Sequence, residues 1–234
     1  METGKRALPE FTSAMTGREL IFAAVGFVLH IFLLPRVFSG LIEAGTLASG
    51  TANFLMYAVM AVYTLAYARG FLRRDFDALA DRPFAVIAGI AGGYFIMMGC
   101  NTLTALLLTL FERTENPNNA AVAELVFDSS GAVSAMVIFL APIVEEVLFR
   151  GAMFGFLRRY SRAAAYAATA AVFALYHLWG FILQDASNLV YLVQYIPAGI
   201  ILCRLYERGN TIWEPIGMHM LVNFVSIRAM EMLS

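Results

Sequence analysis

Seven long apolar runs dominate this sequence, near residues 19–35, 52–69, 83–110, 131–157, 163–182, 187–206 and 211–233. A helix needs about 20 residues to cross the ~30 Å hydrocarbon layer of a bilayer, and these runs are of that order. A backbone in lipid must satisfy its own hydrogen bonds, so runs of this kind form helices packed into a bundle. Charged residues make up only 14% of the chain, against roughly 25% in a soluble globular protein. A soluble enzyme, a disordered chain and a nucleic-acid binder are all excluded. The expectation is an all-α, polytopic transmembrane helical bundle of about seven spans, with the lipid bilayer as its surroundings.

The first 18 residues are polar and no small-residue cleavage site follows the first run, so that run reads as a retained span and not as a removed signal peptide. With seven crossings, Lys5, Arg6, Arg18, Arg69, Arg73, Arg74, Arg82, Arg158, Arg159, Arg162, Arg204 and Arg208 share one side, and Arg36, Arg113 and Arg228 the other. Basic residues gather on the cytoplasmic face, which predicts a cytoplasmic N-terminus and an extracytoplasmic C-terminus. Compact loops favour a prokaryotic plasma membrane. Trp179 and Trp213 suit interfacial anchors. Cys100 and Cys203 lie in separate apolar runs and offer no disulfide framework or CxxC metal site. The third and fourth runs exceed a straight crossing, so tilt or a break is expected, at Gly92-Gly93 and at Pro142. Between them, Phe111–Ser130 is the longest polar connection; its stretch 120–127 suits a short surface helix, and Asp128-Ser129-Ser130 offers caps for the fourth span.

The fourth run carries charge where lipid tolerates it least. It reads Ala-Pro-Ile-Val-Glu145-Glu146-Val-Leu-Phe-Arg150, and each ionisable group at a helix centre costs about 2.5–3.5 kcal/mol on insertion scales. Glu146 and Arg150 are spaced for an intrahelical ion pair, which leaves Glu145 turned about 100° away, free to face a cavity and to take a proton from water. Phe173 and His177 in the fifth run, and His219 and Asn223 in the seventh, stack at four-residue spacing on one helix face each. Counting from the basic loops, Glu145, His177 and Asn223 lie about 20–22 Å from the inner boundary and His219 about 16 Å. Polar groups from three helices thus share one level, as they would around a polar cavity closed from lipid. A purely structural charge network is the alternative. Phe173 reads as packing against the cavity wall, and Gln194 as a further lining residue. His30 has no useful partner one turn away and reads as a core or interfacial histidine; Asn101 and Tyr195 read as ordinary polar positions in a bundle.

The series Glu145-Glu146-x-x-x-Arg150, Phe173-x-x-x-His177 and His219-x-x-x-Asn223 resembles the CAAX protease and bacteriocin-processing family, the Abi group of intramembrane endopeptidases. The resemblance spans roughly residues 130–233. It implies a four-helix catalytic core over residues 130–234; before it, the apolar runs and basic loops give residues 1–129 a cytoplasmic tail, three spans and an extracytoplasmic loop. It implies that Glu145 activates the hydrolytic water beside His177, that His219 and Asn223 stabilise the oxyanion, and that Glu146 and Arg150 form a supporting bridge. The implied activity is hydrolysis of peptide bonds in a membrane-associated or lipid-anchored peptide or protein.

No cofactor is favoured. Zinc held by Glu145, His177 and His219 stays open as an alternative, although HExxH is absent and Asn223 is a poor zinc ligand. A proton-coupled transporter using Glu145, Glu146, His177 and His219 as a relay is a second alternative, against which stands the lack of inverted repeats. A non-catalytic immunity or scaffold protein on the same fold is a third.

Overall fold

The computed structural model describes residues 11–129 and 131–233. Lys5, Arg6 and Ser130, used above for orientation and capping, lie outside the described residues. All regular elements among those described are helices: α1 (Gly17–Glu43), α2 (Ser49–Asp81), α3 (Pro83–Leu110), α4 (Pro117–Phe127), α5 (Gly131–Arg158), α6 (Arg162–Gln184), α7 (Ala186–Gly209) and α8 (Trp213–Leu233). Six of them, all but α4 and α8, are long and apolar enough to cross a membrane. Helix α8 has 21 residues, but Glu214, His219, Asn223, Arg228 and Glu231 lower its hydropathy. The protein is an all-α polytopic bundle.

Its exterior is apolar, with Val62, Phe84, Phe95, Leu106 and Leu183 among the exposed side chains, while Glu145, Glu146 and Arg150 are buried. That inversion suits lipid outside and polar groups paired within. Helix α5 is the most buried span and α1 and α3 the least, so α5 forms the axis against which the others pack.

Two helix starts show a clear local cause. Thr16 caps α1: its hydroxyl accepts from the Glu19 backbone N–H at 3.3 Å while Glu19 Oε2 accepts from the Thr16 N–H at 2.7 Å, a reciprocal capping box. Glu19 also accepts from the Phe71 N–H at 2.9 Å and Arg74 at 3.0 Å, tying α1 to α2. Asn116 caps α4 by accepting from the Asn118 N–H at 2.9 Å, with Pro117 in the first turn, where its missing N–H is harmless. Asp128 closes the C-terminal end of α4.

The two long runs behave differently. Helix α3 passes unbroken through Gly92-Gly93. Gly93 serves close packing instead: a Cβ there would stand 2.8 Å from a Leu205 methyl group. Helix α5, in contrast, widens into π-helical turns at Met136–Leu140 and Val147–Phe154, on either side of Glu145-Glu146. In the first of these turns the Ala141 N–H reaches back to the Met136 carbonyl. The next carbonyl in that register, Val137, would require an N–H at residue 142, which is proline and has none. The Val137 oxygen is therefore free for another helix.

Helices α6 and α7 approach closely at Gly199, where a Cβ would come within 2.8 Å of the Ala170 Cα. The missing side chain lets the Gly199 carbonyl reach the buried centre of α5, where Arg150 Nη2 donates to it at 3.3 Å.

Candidate active site

The carboxylates of Glu145 and Glu146 diverge, as a 100° step along a helix requires. Glu146 is fully buried and its Oε1 accepts from Arg150 Nη1 at 2.9 Å, one turn away. The same oxygen accepts from His219 Nδ1–H on α8 at 2.8 Å. Arg150 is fully buried too, with its guanidinium carbon 4.1 Å from the centre of the Phe173 ring. An arginine stacked on an aromatic face and bonded to a carboxylate recovers part of its lost hydration.

Glu145 points the other way. Its Oε1 accepts from the Tyr57 hydroxyl on α2 at 3.0 Å, and its Oε2 lies 3.8 Å from His177 Nε2 on α6. His177 Nδ1 is 2.9 Å from the Phe173 carbonyl. A carbonyl only accepts, so Nδ1 carries the proton and Nε2 of the neutral ring faces Glu145 as an acceptor. Phe173 thus does three things: its carbonyl fixes the His177 tautomer, and its ring packs 4.6 Å from His177 and 6.2 Å from His219 while covering Arg150. Asn223, one turn beyond His219, donates from Nδ2 to the Val137 oxygen at 2.8 Å. That is the carbonyl released by Pro142, so a proline in α5 orients an amide on α8.

Glu145, Phe173, His177, His219 and Asn223 line one cavity of about 1380 Å³. This exceeds the 300–1,000 Å³ usual for small-molecule sites. The cavity runs from these groups past Gln194 and Tyr195 to the start of α2 and to α4, which lies across it with Asn118, Asn119 and Glu124 in the wall. Arg150 and Glu146 are behind the wall and do not line it.

Residues 128–225 match the family Rce1-like, described as type II CAAX prenyl endopeptidase Rce1-like. Among curated proteins, 124 residues align at 30% identity with "Putative membrane peptidase YdiL" of Bacillus subtilis (strain 168), covering 50% of this chain and 45% of that protein. The C-terminal half of this chain is thus similar to the CAAX protease and bacteriocin-processing family. The chain spans less than half the length of the curated relative it matches. No solved structure matches it.

The family segment holds every residue singled out above for the catalytic core, but not every group around the cavity. Tyr57 on α2 and His30 on α1 precede it. His30, read from sequence as lacking a partner, lies with its Nε2 2.8 Å from the Tyr176 hydroxyl; the partner comes from another helix, which spacing along α1 does not reveal. Tyr195 also has a specific place, its ring stacked on His177 at 4.7 Å and 21° and its hydroxyl accepting from Asn118 Nδ2 at 3.0 Å. Gln194 lines the cavity and accepts from Asn116 Nδ2.

As the side chains stand, Glu145, His177 and His219 do not converge on one point as a zinc ligand set. Among the described residues, no three His, Cys, Asp or Glu side chains come together as a metal-ligand set. No step below is routed through a metal.

Proposed function

We propose that this chain is an intramembrane endopeptidase that hydrolyses peptide bonds of a membrane-associated or lipid-anchored peptide, with Glu145 as the base. The observation that carries this reading is the pair of acceptors Glu145 Oε2 and His177 Nε2 facing each other across 3.8 Å at the cavity wall. Two acceptors at that distance repel unless a donor sits between them, and one water can give a hydrogen to each. Its oxygen lone pair is then turned toward the cavity. As that oxygen bonds to the scissile carbonyl carbon, Glu145 takes the proton. The carbonyl oxygen gains negative charge, for which His219 and the second Nδ2–H of Asn223 are the available donors. His219 gives Nδ1–H to Glu146, so donation from its Nε2 requires the doubly protonated ring. Collapse of the tetrahedral intermediate breaks the C–N bond, and Glu145 returns its proton to the leaving amine.

The apolar exterior and the similarity to CAAX prenyl endopeptidases support a lipid-embedded substrate. The cytoplasmic N-terminus and extracytoplasmic C-terminus, on the distribution of basic residues, and a prokaryotic plasma membrane, on the compact loops, belong to the same proposal.

The test uses the purified chain in proteoliposomes with a library of lipid-anchored fluorogenic peptides. His177→Ala is expected to lower kcat by about 10²–10³-fold, the range for loss of a group assisting proton transfer. Unchanged cleavage by that variant overturns its place beside the water. The same assay decides the metal question. After exhaustive chelation, with elemental analysis confirming zinc well below one per chain, activity is expected to persist; a strict zinc requirement would replace the glutamate mechanism by a metal-assisted one.

A further inference from the structure

Glu145 Oε1 ends a partly buried chain of three hydrogen bonds that links α5 to α2, α6 and α1. Tyr57 donates to it at 3.0 Å, the hydroxyls of Tyr57 and Tyr176 are 2.9 Å apart, and the Tyr176 hydroxyl is 2.8 Å from His30 Nε2. Resting on the reading of Glu145 as base, we propose that Tyr57, Tyr176 and His30 are positioning residues. They hold Oε1 so that Oε2 is presented to His177 and to the attacking water.

Proton counting gives the chain one direction. An ionised carboxylate only accepts, so the single hydroxyl proton of Tyr57 goes to Glu145. The Tyr57 oxygen must then accept from Tyr176, which uses the only proton of that residue. The Tyr176 oxygen in turn accepts from His30, which carries its proton on Nε2. If Nε2 were instead the acceptor, Tyr176 would donate to it and Tyr57 would have to donate twice. His30 is 1% exposed and its Nδ1 has no partner, so nothing competes to turn the ring. The ring is wedged between the two phenols, with centroids 5.3 Å from Tyr57 and 5.4 Å from Tyr176.

The geometry also says why a base needs this support. A free glutamate rotates about its last torsion, which is broad and roughly two-fold. Clamping one oxygen from behind leaves the other aimed, and such partners of reacting groups are worth about 10–100-fold in activity. Because His30 and Tyr57 lie outside residues 128–225, α1 and α2 contribute directly to the site and do more than surround it.

The experiment combines kinetics and spectroscopy on the full chain. With a lipid-anchored fluorogenic peptide, Tyr57→Phe is expected to lower kcat about 10–100-fold while KM stays within about twofold. His30→Leu is expected to lower kcat less. His30→Gln, whose amide N–H can replace the imidazole donor, is expected to recover most of that loss. The double variant Tyr57→Phe/His30→Leu is expected to be no slower than Tyr57→Phe alone, since His30 acts only through that hydroxyl. Multiplying losses in the double variant, or a full kcat in Tyr57→Phe, overturns the positioning role. Loss of activity in Glu145→Gln with full activity in Tyr57→Phe sinks this inference alone, whereas full activity in Glu145→Gln sinks the base itself. Independently of turnover, ¹⁵N NMR of histidine-labelled wild-type protein is expected to show His30 neutral with its proton on Nε2. A proton on Nδ1 overturns the chain.

Discussion

Glu145→Gln is expected to abolish hydrolysis, with kcat at least about 10³-fold below wild type, while the fold and substrate binding survive. Glutamine has the shape of glutamate, and its amide oxygen can still accept from Tyr57, which now donates at 3.0 Å. What it lacks is basicity: an amide oxygen accepts a hydrogen bond but does not take the proton from water. The variant therefore removes proton transfer and leaves the architecture. Glu145→Asp separates the two in the opposite sense. It keeps the base but withdraws it by about one C–C bond, roughly 1.5 Å, widening the 3.8 Å separation from His177. An intermediate loss of about 10²-fold is expected, the size associated with a misplacement of about 1 Å. Cleavage rates with matched unfolding profiles check both. A Glu145→Gln protein that keeps more than about a tenth of the wild-type kcat would remove Glu145 as the base.

The parts of this molecule legible in the sequence are those governed by rules local to one helix. Length and apolarity along a run announce a span, and four-residue spacing announces a shared face, as for Glu146 with Arg150 and for His219 with Asn223. Contacts between helices are less legible because spacing along one helix says nothing of its neighbours. His30 is the clearest case: every atom that engages it belongs to Tyr176 or Tyr57. A signal was nevertheless present. Depth counting puts His30 12 residues after Arg18 and Tyr57 12 before Arg69, each about 18 Å deep and close to the level of Glu145. Extending that count to every polar residue within a run, tyrosines included, would have grouped them with the site. Pro142 shows the same limit. Its missing N–H is written in the sequence, but which carbonyl it releases depends on the π-helical turn before it, and that Asn223 fills the opening depends on where α8 packs. Gly92-Gly93 shows the converse, since a pair that weakens a helix in isolation is held straight in α3 while Gly93 receives Leu205.

The second large effect falls on folding, at Arg150. Its loss in Arg150→Leu leaves the fully buried Glu146 carboxylate without its cation, and breaking a buried pair from one side costs about 3–5 kcal/mol. For a chain of this size that corresponds to a fall in Tm of roughly 10 °C, read by thermal unfolding in detergent. Arg150→Lys is expected to lie between, because lysine keeps the charge but cannot both reach the Gly199 carbonyl and lie flat on Phe173 as the guanidinium does at 3.3 Å and 4.1 Å. The decisive variant removes both charges. Glu146→Gln/Arg150→Met is expected to recover much of the lost stability, since an ion pair taken out of water can be replaced by uncharged groups of similar volume at little cost. It is not expected to recover activity. Glu146 Oε1 accepts from His219 as well as from Arg150, and a glutamine there, free to present its NH2 instead, no longer holds the His219 ring in place to donate to an oxyanion. Stability restored without catalysis would separate the two uses of Glu146. Restoration of both would show that the ion pair serves only to hold α5, and would leave His219 to act without it.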